Sequence, residues 1–157
     1  QSANDAVGQI RYFGTSAPFE VKTNEISNVK VTCTMANAKV SIAYDEVFAQ
    51  VFNGYTVEVS TEAEPSRIIT FDSNGKCNST YDAAFFNIDS KNPNLKFTVS
   101  GTYKGNVRTA TQTIQLEAAK WYKLNIKTSA SGRIDMGISV DDTVEEKPQD
   151  VEVNPYL

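Results

Sequence analysis

Residues 29–44 read VKVTCTMANAKVSIAY, and this stretch decides the fold class because its apolar residues alternate with polar ones. One alternation starts at Val29 and ends at Met35, and a second begins at Ala38 and ends at Tyr44. A period of two is typical of a β-strand with one buried face. The phase slips by one residue between the two runs. We favour a bulge in one long strand over a turn between two strands, because this interval contains no Gly or Pro.

The composition of the whole chain agrees with strands. It contains 25 Val and Ile residues against four Leu, and β-branched side chains favour sheets over helices. Helical bundles are therefore excluded. A length of 157 residues suits one core, so we expect a single β-sandwich domain over residues 1–157.

Alternating segments separated by turn-forming clusters continue along the chain at intervals of roughly ten residues, which is typical of a β-sandwich. The segment around Lys104-Gly105-Asn106 is expected to be the turn of a hairpin between residues 95–103 and 107–116. The other predicted strands are residues 10–13, 19–21, 55–59, 67–71, 84–88, 121–127 and 134–140.

One segment breaks the β-pattern, at about residues 45–53. It places Val47, Phe48, Val51 and Phe52 on one helical face, so we predict a short helix that buries these four side chains. Acidic residues precede this face, and Asn53-Gly54 follows it as a candidate left-handed C-cap.

The charge of the chain limits its partners. The net charge is −4 with a pI near 4.9, and Lys and Arg form no cluster, which argues against a nucleic-acid partner. No apolar run approaches the roughly 20 residues of a membrane span.

Two cysteines leave two interpretations open. Cys33 lies in phase with the apolar face of its strand, and Cys77 lies in a polar stretch that we interpret as a loop. A disulfide between them would close a long loop, and the alternative is that Cys33 is a small core residue. Two cysteines without His do not make a metal site.

The sequence contains no catalytic, cofactor-binding or metal-binding pattern. His is absent, which excludes His-dependent triads and imidazole acid–base chemistry. Asp135, Asp141 and Asp142 lie close together but lack the spacing of a calcium loop, so we interpret them as an acidic surface. We therefore expect a protein that is not an enzyme and has no hydrolytic activity.

Trp121 and Tyr122 form the adjacent aromatic pair of interest. Aromatic rings can stack on sugars, but neighbours in a strand point to opposite faces. At least one of the two rings is therefore expected in the core, with the other as a candidate ligand contact.

The tail, residues 145–157, is either a linker or an edge strand. Val151 and Val153 alternate with acidic residues, as expected for an edge strand with one face in solvent, and they are candidate partner contacts. Pro148 and Pro155 would bound such a strand.

Two stretches carry a resemblance to a known family. Residues 38–48 (AKVSIAYDEVF) resemble a stretch of fimbrillin-related surface lipoproteins of Bacteroidetes. Residues 119–147, from AKWYKL to VDDTVEEK, are similar to the C-terminal signature of the same group. The resemblance covers roughly residues 30 to 153.

This resemblance implies a transthyretin-like, Greek-key β-sandwich that is exported and anchored at the outer membrane through a lipid on an upstream cysteine. It implies a role as an adhesin or a fimbrial (pilus) component at the cell surface. The expected partners are other surface or fimbrial subunits, or extracellular or host glycans and proteins. The alternative is a carbohydrate-binding module of a surface glycan-handling protein.

Overall fold

The computed structural model describes residues 10–142 in full and residues 6–7 and 147–153 by their backbone. Twelve strands and one helix lie in these ranges. Their bounds in chain order are β1 Ala6–Val7, β2 Tyr12–Phe13, β3 Ser27–Met35, β4 Ala38–Tyr44, α1 Glu46–Val51, β5 Phe52–Thr61, β6 Ile69–Phe71, β7 Ala84–Phe86, β8 Asn94–Tyr103, β9 Asn106–Gln115, β10 Trp121–Thr128, β11 Ile134–Asp141 and β12 Lys147–Val153.

The strands form three sheets. The first sheet has five strands in the order β1-β7-β4-β10-β11, and the second has four in the order β6-β5-β8-β9. Every pair in these two sheets is antiparallel except β4 and β10, which run parallel. The chain passes from one of them to the other after β4, β6, β7 and β9. The remaining three strands form a separate sheet, the terminal sheet, in the order β12-β3-β2.

A single apolar cluster lies between the first and second sheets. Alternate residues of β4 and β10 supply one side of it, and alternate residues of β5 and β8 supply the other. The inward residues are Val40 and Ile42 of β4, Val57 and Val59 of β5, Leu95, Phe97 and Val99 of β8, and Tyr122, Leu124 and Ile126 of β10. Burial of these β-branched and aromatic side chains is the main stabilising contribution. The prediction of an all-β sandwich with one short helix is confirmed.

The hairpin between β8 and β9 is also confirmed. Tyr103 pairs with Asn106, so Lys104 and Gly105 form a two-residue turn. Both turn residues have positive φ, 49° and 79°, as a type I′ turn requires. Gly105 at the second turn position is therefore a local signal that sets the register of both strands.

The helix is shorter than predicted, and half of its expected apolar face is wrong. It ends at Val51, and Phe52 already has extended backbone at the start of β5. Phe48 and Phe52 are buried, whereas Val47 and Val51 are 54% and 37% exposed. A helix of only six residues turns a narrow row of side chains towards the core. Phe48 and Phe52, which are four positions apart, form that row. The positive φ of Gly54 belongs to an irregularity in β5, not to a helix C-cap.

Two further predictions near the N-terminus are wrong. Residues 29–44 are two strands in two different sheets, not one bulged strand, because β3 ends at Met35 and β4 begins in the first sheet at Ala38. Residues 19–21 form no strand, and Phe19 and Val21 are exposed. Alternation indicates which face of a strand is apolar but not which sheet contains it.

Candidate functional site

Trp121 lies on the outer face of the first sheet and is half-buried. Its register neighbour on β4 is Lys39, and its indole Nε1 donates a hydrogen bond of 2.8 Å to the Ser41 hydroxyl. The Nζ atoms of Lys39 and Lys123 lie 3.7 and 4.0 Å from the centroid of its ring. These cation–π contacts and the hydrogen bond hold the ring in one orientation.

Two ion pairs connect this face to β11 and the residue after it. Lys123 Nζ lies 3.3 Å from an Asp141 carboxylate oxygen, and Lys120 Nζ lies 2.6 Å from Asp142. The hydrogen bond from Lys120 to Asp142 raises the pKa of the Lys120 ammonium. The outer face around Trp121 is therefore a mixed-charge surface on which both Lys120 and Lys123 are paired.

This arrangement limits what Trp121 can bind. A sugar ring that stacks on an indole must occupy the space over the ring, and the ammonium groups of Lys39 and Lys123 already lie there. At least one lysine side chain would have to move before stacking. The structure thus places Trp121 at the surface but in contact with its own neighbours.

Tyr122 has a different environment, as the alternation along a strand requires. It is buried in the sandwich core. Its hydroxyl accepts a 2.8 Å hydrogen bond from the Glu117 amide and donates one of 3.3 Å to the Gln115 carbonyl. Burial raises the pKa of this phenol. Tyr122 therefore stabilises the turn between β9 and β10 and is not a surface ligand contact.

The terminal sheet contains the other two candidate residues. Seven register pairs join β12 to β3 in antiparallel fashion, with Val151 opposite Val29 and Val153 opposite Ser27. The segment 147–153 is thus an edge strand of its own domain, with Pro148 inside it rather than before it. The side chains of Val151 and Val153, the linker alternative at residues 145–146, and Pro155 lie outside the described residues.

The described side chains of the terminal sheet contribute little to the core. Along β3 only Met35 is fully buried, and the other inward positions from Ser27 to Cys33 are half-buried. The main apolar cluster contains no described residue of β2 or β3. Backbone pairing with β12 extends along β3 from Ser27 to Cys33, where the described side chains are at most half-buried.

One family accounts for nearly the whole chain. The model of a domain of unknown function, DUF4493, matches residues 2–155. The chain belongs to the DUF4493 family. No curated protein and no solved structure matches it.

Sequence reasoning missed a buried polar residue at the junction of the terminal sheet and the first sheet of this DUF4493 domain. Asn37 is only 3% exposed. Its side-chain oxygen accepts a 3.3 Å hydrogen bond from the Arg11 amide, and its carbonyl accepts one of 3.1 Å from the Ala119 amide. The sequence signal for this role was the break in alternation between Met35 and Ala38.

The two cysteines are both free thiols. Cys33 is half-buried in the terminal sheet of the DUF4493 domain. Cys77 is fully buried, although the sequence suggested a loop, and its sulfur lies 3.4 Å from the Tyr81 carbonyl oxygen. Burial raises the pKa of the Cys77 thiol. Cys77 therefore lacks the exposure and the lowered pKa of a reactive cysteine.

The described part of this DUF4493 chain has neither a cluster of metal-ligating side chains nor a helix that could span a membrane. Within residues 10–142, no group of three His, Cys, Asp or Glu side chains is close enough to hold a metal ion. Among the helices in the described ranges, none is long and apolar enough to cross a membrane.

Proposed function

We propose that this DUF4493 chain is a non-enzymatic module of the cell surface, an adhesin or a fimbrial (pilus) component that assembles with other surface subunits through its terminal sheet. In this proposal the protein is exported and held at the outer membrane by a lipid on an upstream cysteine. The fimbrillin-like stretches at residues 38–48 and 119–147 support it. The observation that carries it is that the main apolar cluster contains no described residue of β2 or β3, while β12 pairs with β3 along its backbone.

Assembly by strand addition needs backbone groups that a partner strand can reach. In the described residues β3 pairs with β12 along residues 27–33 on one edge, and with β2 only at Met35 and Thr34 on the other. Backbone hydrogen bonds of a sheet edge can be made by any strand of matching register, so the place of β12 beside β3 can be taken by an equivalent strand of another subunit. The strand β12 is therefore the element that we expect subunits to exchange.

Deletion of residues 148–157 tests this function. The main apolar cluster is built from described residues between Ala38 and Ile134, so the shortened chain is expected to fold with a lower melting temperature and to self-associate through the open edge of β3. A synthetic peptide of residues 147–157 should bind the shortened chain and restore the monomer. A scrambled peptide of the same composition is the control. Size-exclusion chromatography with light scattering gives the readout.

A different set of measurements on the shortened chain would contradict the assembly role. A shortened chain that melts like the full chain, stays monomeric and ignores the peptide would make residues 148–157 a linker and refute the assembly role. Full-length chains mixed with the labelled peptide provide a second measurement, because slow incorporation of label is expected only when β12 exchanges.

A carbohydrate-binding module is the second candidate. It depends on Trp121, the half-buried ring on the outer face of the first sheet. The geometry favours it less, since Lys39 and Lys123 occupy the space over that ring. If the protein stacks neutral sugars there, K39A should tighten binding and W121A should abolish it in a glycan titration.

A further inference from the structure

A groove opens at one side of the sandwich, where β9 at the edge of the second sheet meets the turn before β11 at the edge of the first. Its volume is about 270 Å³. Arg108 and Ala110 line one wall, and the segment Ser131–Ile134 lines the other. The groove is distant in sequence from the terminal sheet and uses none of its residues.

Arg108 points towards the space between the two sheets. It lies opposite Gly101 in the β8–β9 register, on the same side of β9 as Ala110 and Ile114, which pack on the core. The side chain of Arg108 is exposed, and within the described residues it makes no ion pair or hydrogen bond. Its guanidinium is therefore available to a ligand.

The opposite wall is a rigid turn. The Gly132 amide donates to the Ser129 carbonyl at 3.0 Å, and the Ser129 amide donates to the Arg133 carbonyl at 3.1 Å. Gly132 has φ of +78° and is packed on the ring of Tyr103, where a Cβ would lie only 2.5 Å from two ring atoms. The turn therefore presents Arg133 at a fixed position.

The local charge is positive although the chain as a whole carries −4. Arg133 directs Nε and Nη2 to one oxygen of Asp135, each at 3.0 Å, and its Nη1 lies outside that pair. Lys104 lies over the Tyr103 ring on which the turn packs, with Nζ 5.3 Å from the centroid. The groove is thus lined by two guanidinium groups, and the one carboxylate paired with them is that of Asp135 on Arg133.

We propose that this groove binds an acidic sugar unit, a monosaccharide that bears a carboxylate or a sulfate, with the anionic group held between Arg108 and Arg133. Guanidinium groups bind such oxyanions through paired hydrogen bonds. The volume is slightly below the roughly 300–1,000 Å³ of drug-sized ligand pockets, so it suits one sugar ring rather than an oligosaccharide. The Ser131 hydroxyl lies 2.9 Å from the Ser129 hydroxyl and retains capacity for one more hydrogen bond to a ring hydroxyl. Backbone groups on the outer edge of β9 can bind further ring hydroxyls.

Titration of the full chain with small sugars, followed by amide NMR shifts, tests the proposal. Glucuronate and N-acetylglucosamine 6-sulfate should both shift residues 108–110 and 131–134, and glucose should not. Inorganic sulfate should bind more weakly than either acidic sugar. R108A and R133A should each weaken binding by about tenfold or more, since each removes a charge-assisted contact. R67A is the matched control, because Arg67 pairs with Glu64 elsewhere on the surface.

Three outcomes would overturn the proposal. The first is the absence of shifts at the groove with both acidic sugars. The second is inorganic sulfate binding as tightly as the sugars, which would leave no role for the sugar ring. The third is an R108A chain that binds as before but self-associates, since Arg108 would then only protect the edge of β9. Failure of the assembly role leaves this test unaffected, because the described lining of the groove comes from residues 108–110 and 131–134.

Discussion

At the scale of single residues, Phe48 is the strongest contact between α1 and the core. It is fully buried and stacks on Phe52 with ring centroids 4.3 Å apart. Phe48→Ala should lower the free energy of unfolding by about 3–5 kcal/mol, because it leaves a cavity among aromatic rings. The neighbouring Val47 is 54% exposed, so Val47→Ala should change the free energy of unfolding by less than about 0.5 kcal/mol. Urea unfolding of both variants checks this, and equal effects would contradict the orientation of the helix.

Two glycines with the same backbone conformation make a matched pair. Gly105 and Gly132 have φ of +79° and +78°, but only Gly132 has a ring against it. Gly105→Ala should lower the free energy of unfolding by about 1–2 kcal/mol, because a residue with a Cβ is strained in the left-handed conformation. Gly132→Ala should lower the free energy of unfolding by about 1–3 kcal/mol more than Gly105→Ala does, because its Cβ would overlap the Tyr103 ring. Thermal melts measure the difference. Equal costs would mean that Tyr103 moves aside freely.

Residue-level patterns explain which predictions were right. Tyr122 alternates with Trp121, so the sequence separated a core ring from a surface ring, but it contained no sign that two lysines lie over Trp121. The sequence also could not predict the burial of Cys77. Residues 74–78 around it are polar, and only the tertiary fold covers the sulfur. Arg108 and Arg133 are 25 positions apart in sequence. They line the same groove only because the edges of two sheets lie side by side there.

At the scale of elements, the terminal sheet should open before the rest of the molecule. Inward residues of β3 between Ser27 and Cys33 are only half-buried, whereas those of β10 from Tyr122 to Ile126 are buried. Amides of residues 27–33 should therefore exchange with deuterium at least about tenfold faster than those of residues 122–126, through local opening. Hydrogen exchange with mass spectrometry resolves the two segments. Equal protection would show that β3 unfolds only together with the core, which would also weaken the assembly proposal.

The elements differ in how far the sequence predicted them. The β8–β9 hairpin has a turn whose residues require positive φ, so its position and register followed from local chemistry. The separation of β3 from β4 did not, because at the change of sheet Asn37 accepts hydrogen bonds from the backbone amides of Arg11 and Ala119, which are distant in sequence. No residue near Asn37 in the sequence indicates which distant amides it will bind.

At the scale of the whole molecule, alkaline pH should destabilise the fold. Burial raises the pKa of Tyr44, which donates a 3.0 Å hydrogen bond to the Asp72 carbonyl, and it also raises the pKa values of Tyr122 and Cys77. The unfolded chain ionises these groups near their ordinary pKa values, about 8.5 for Cys and 10 for Tyr, while the folded chain keeps their protons. The folded state then binds more protons than the unfolded state, so stability falls as pH rises.

Urea unfolding at pH 7, 9, 10 and 11 measures this effect. The free energy of unfolding should be highest at pH 7 and should decline above about pH 9. Tyr44→Phe should make the decline shallower, since it removes the most strongly shifted of these groups. A free energy that stays constant or increases up to pH 11 would contradict the assignment of these protons to the folded state.

The parallel pairing of β4 with β10 has a consequence for how the chain is made. Trp121 and Ser41 are 80 positions apart, yet their hydrogen bond joins adjacent central strands. During synthesis β4 can acquire β7 as a neighbour early, but its other edge stays open until residues 121–128 have left the ribosome. Closing so long a loop is entropically costly and makes folding slow, in the range of milliseconds to seconds for β-rich domains. The nascent chain therefore remains without a complete core until residues 121–128 have been made, and in that interval its apolar strands are exposed to aggregation.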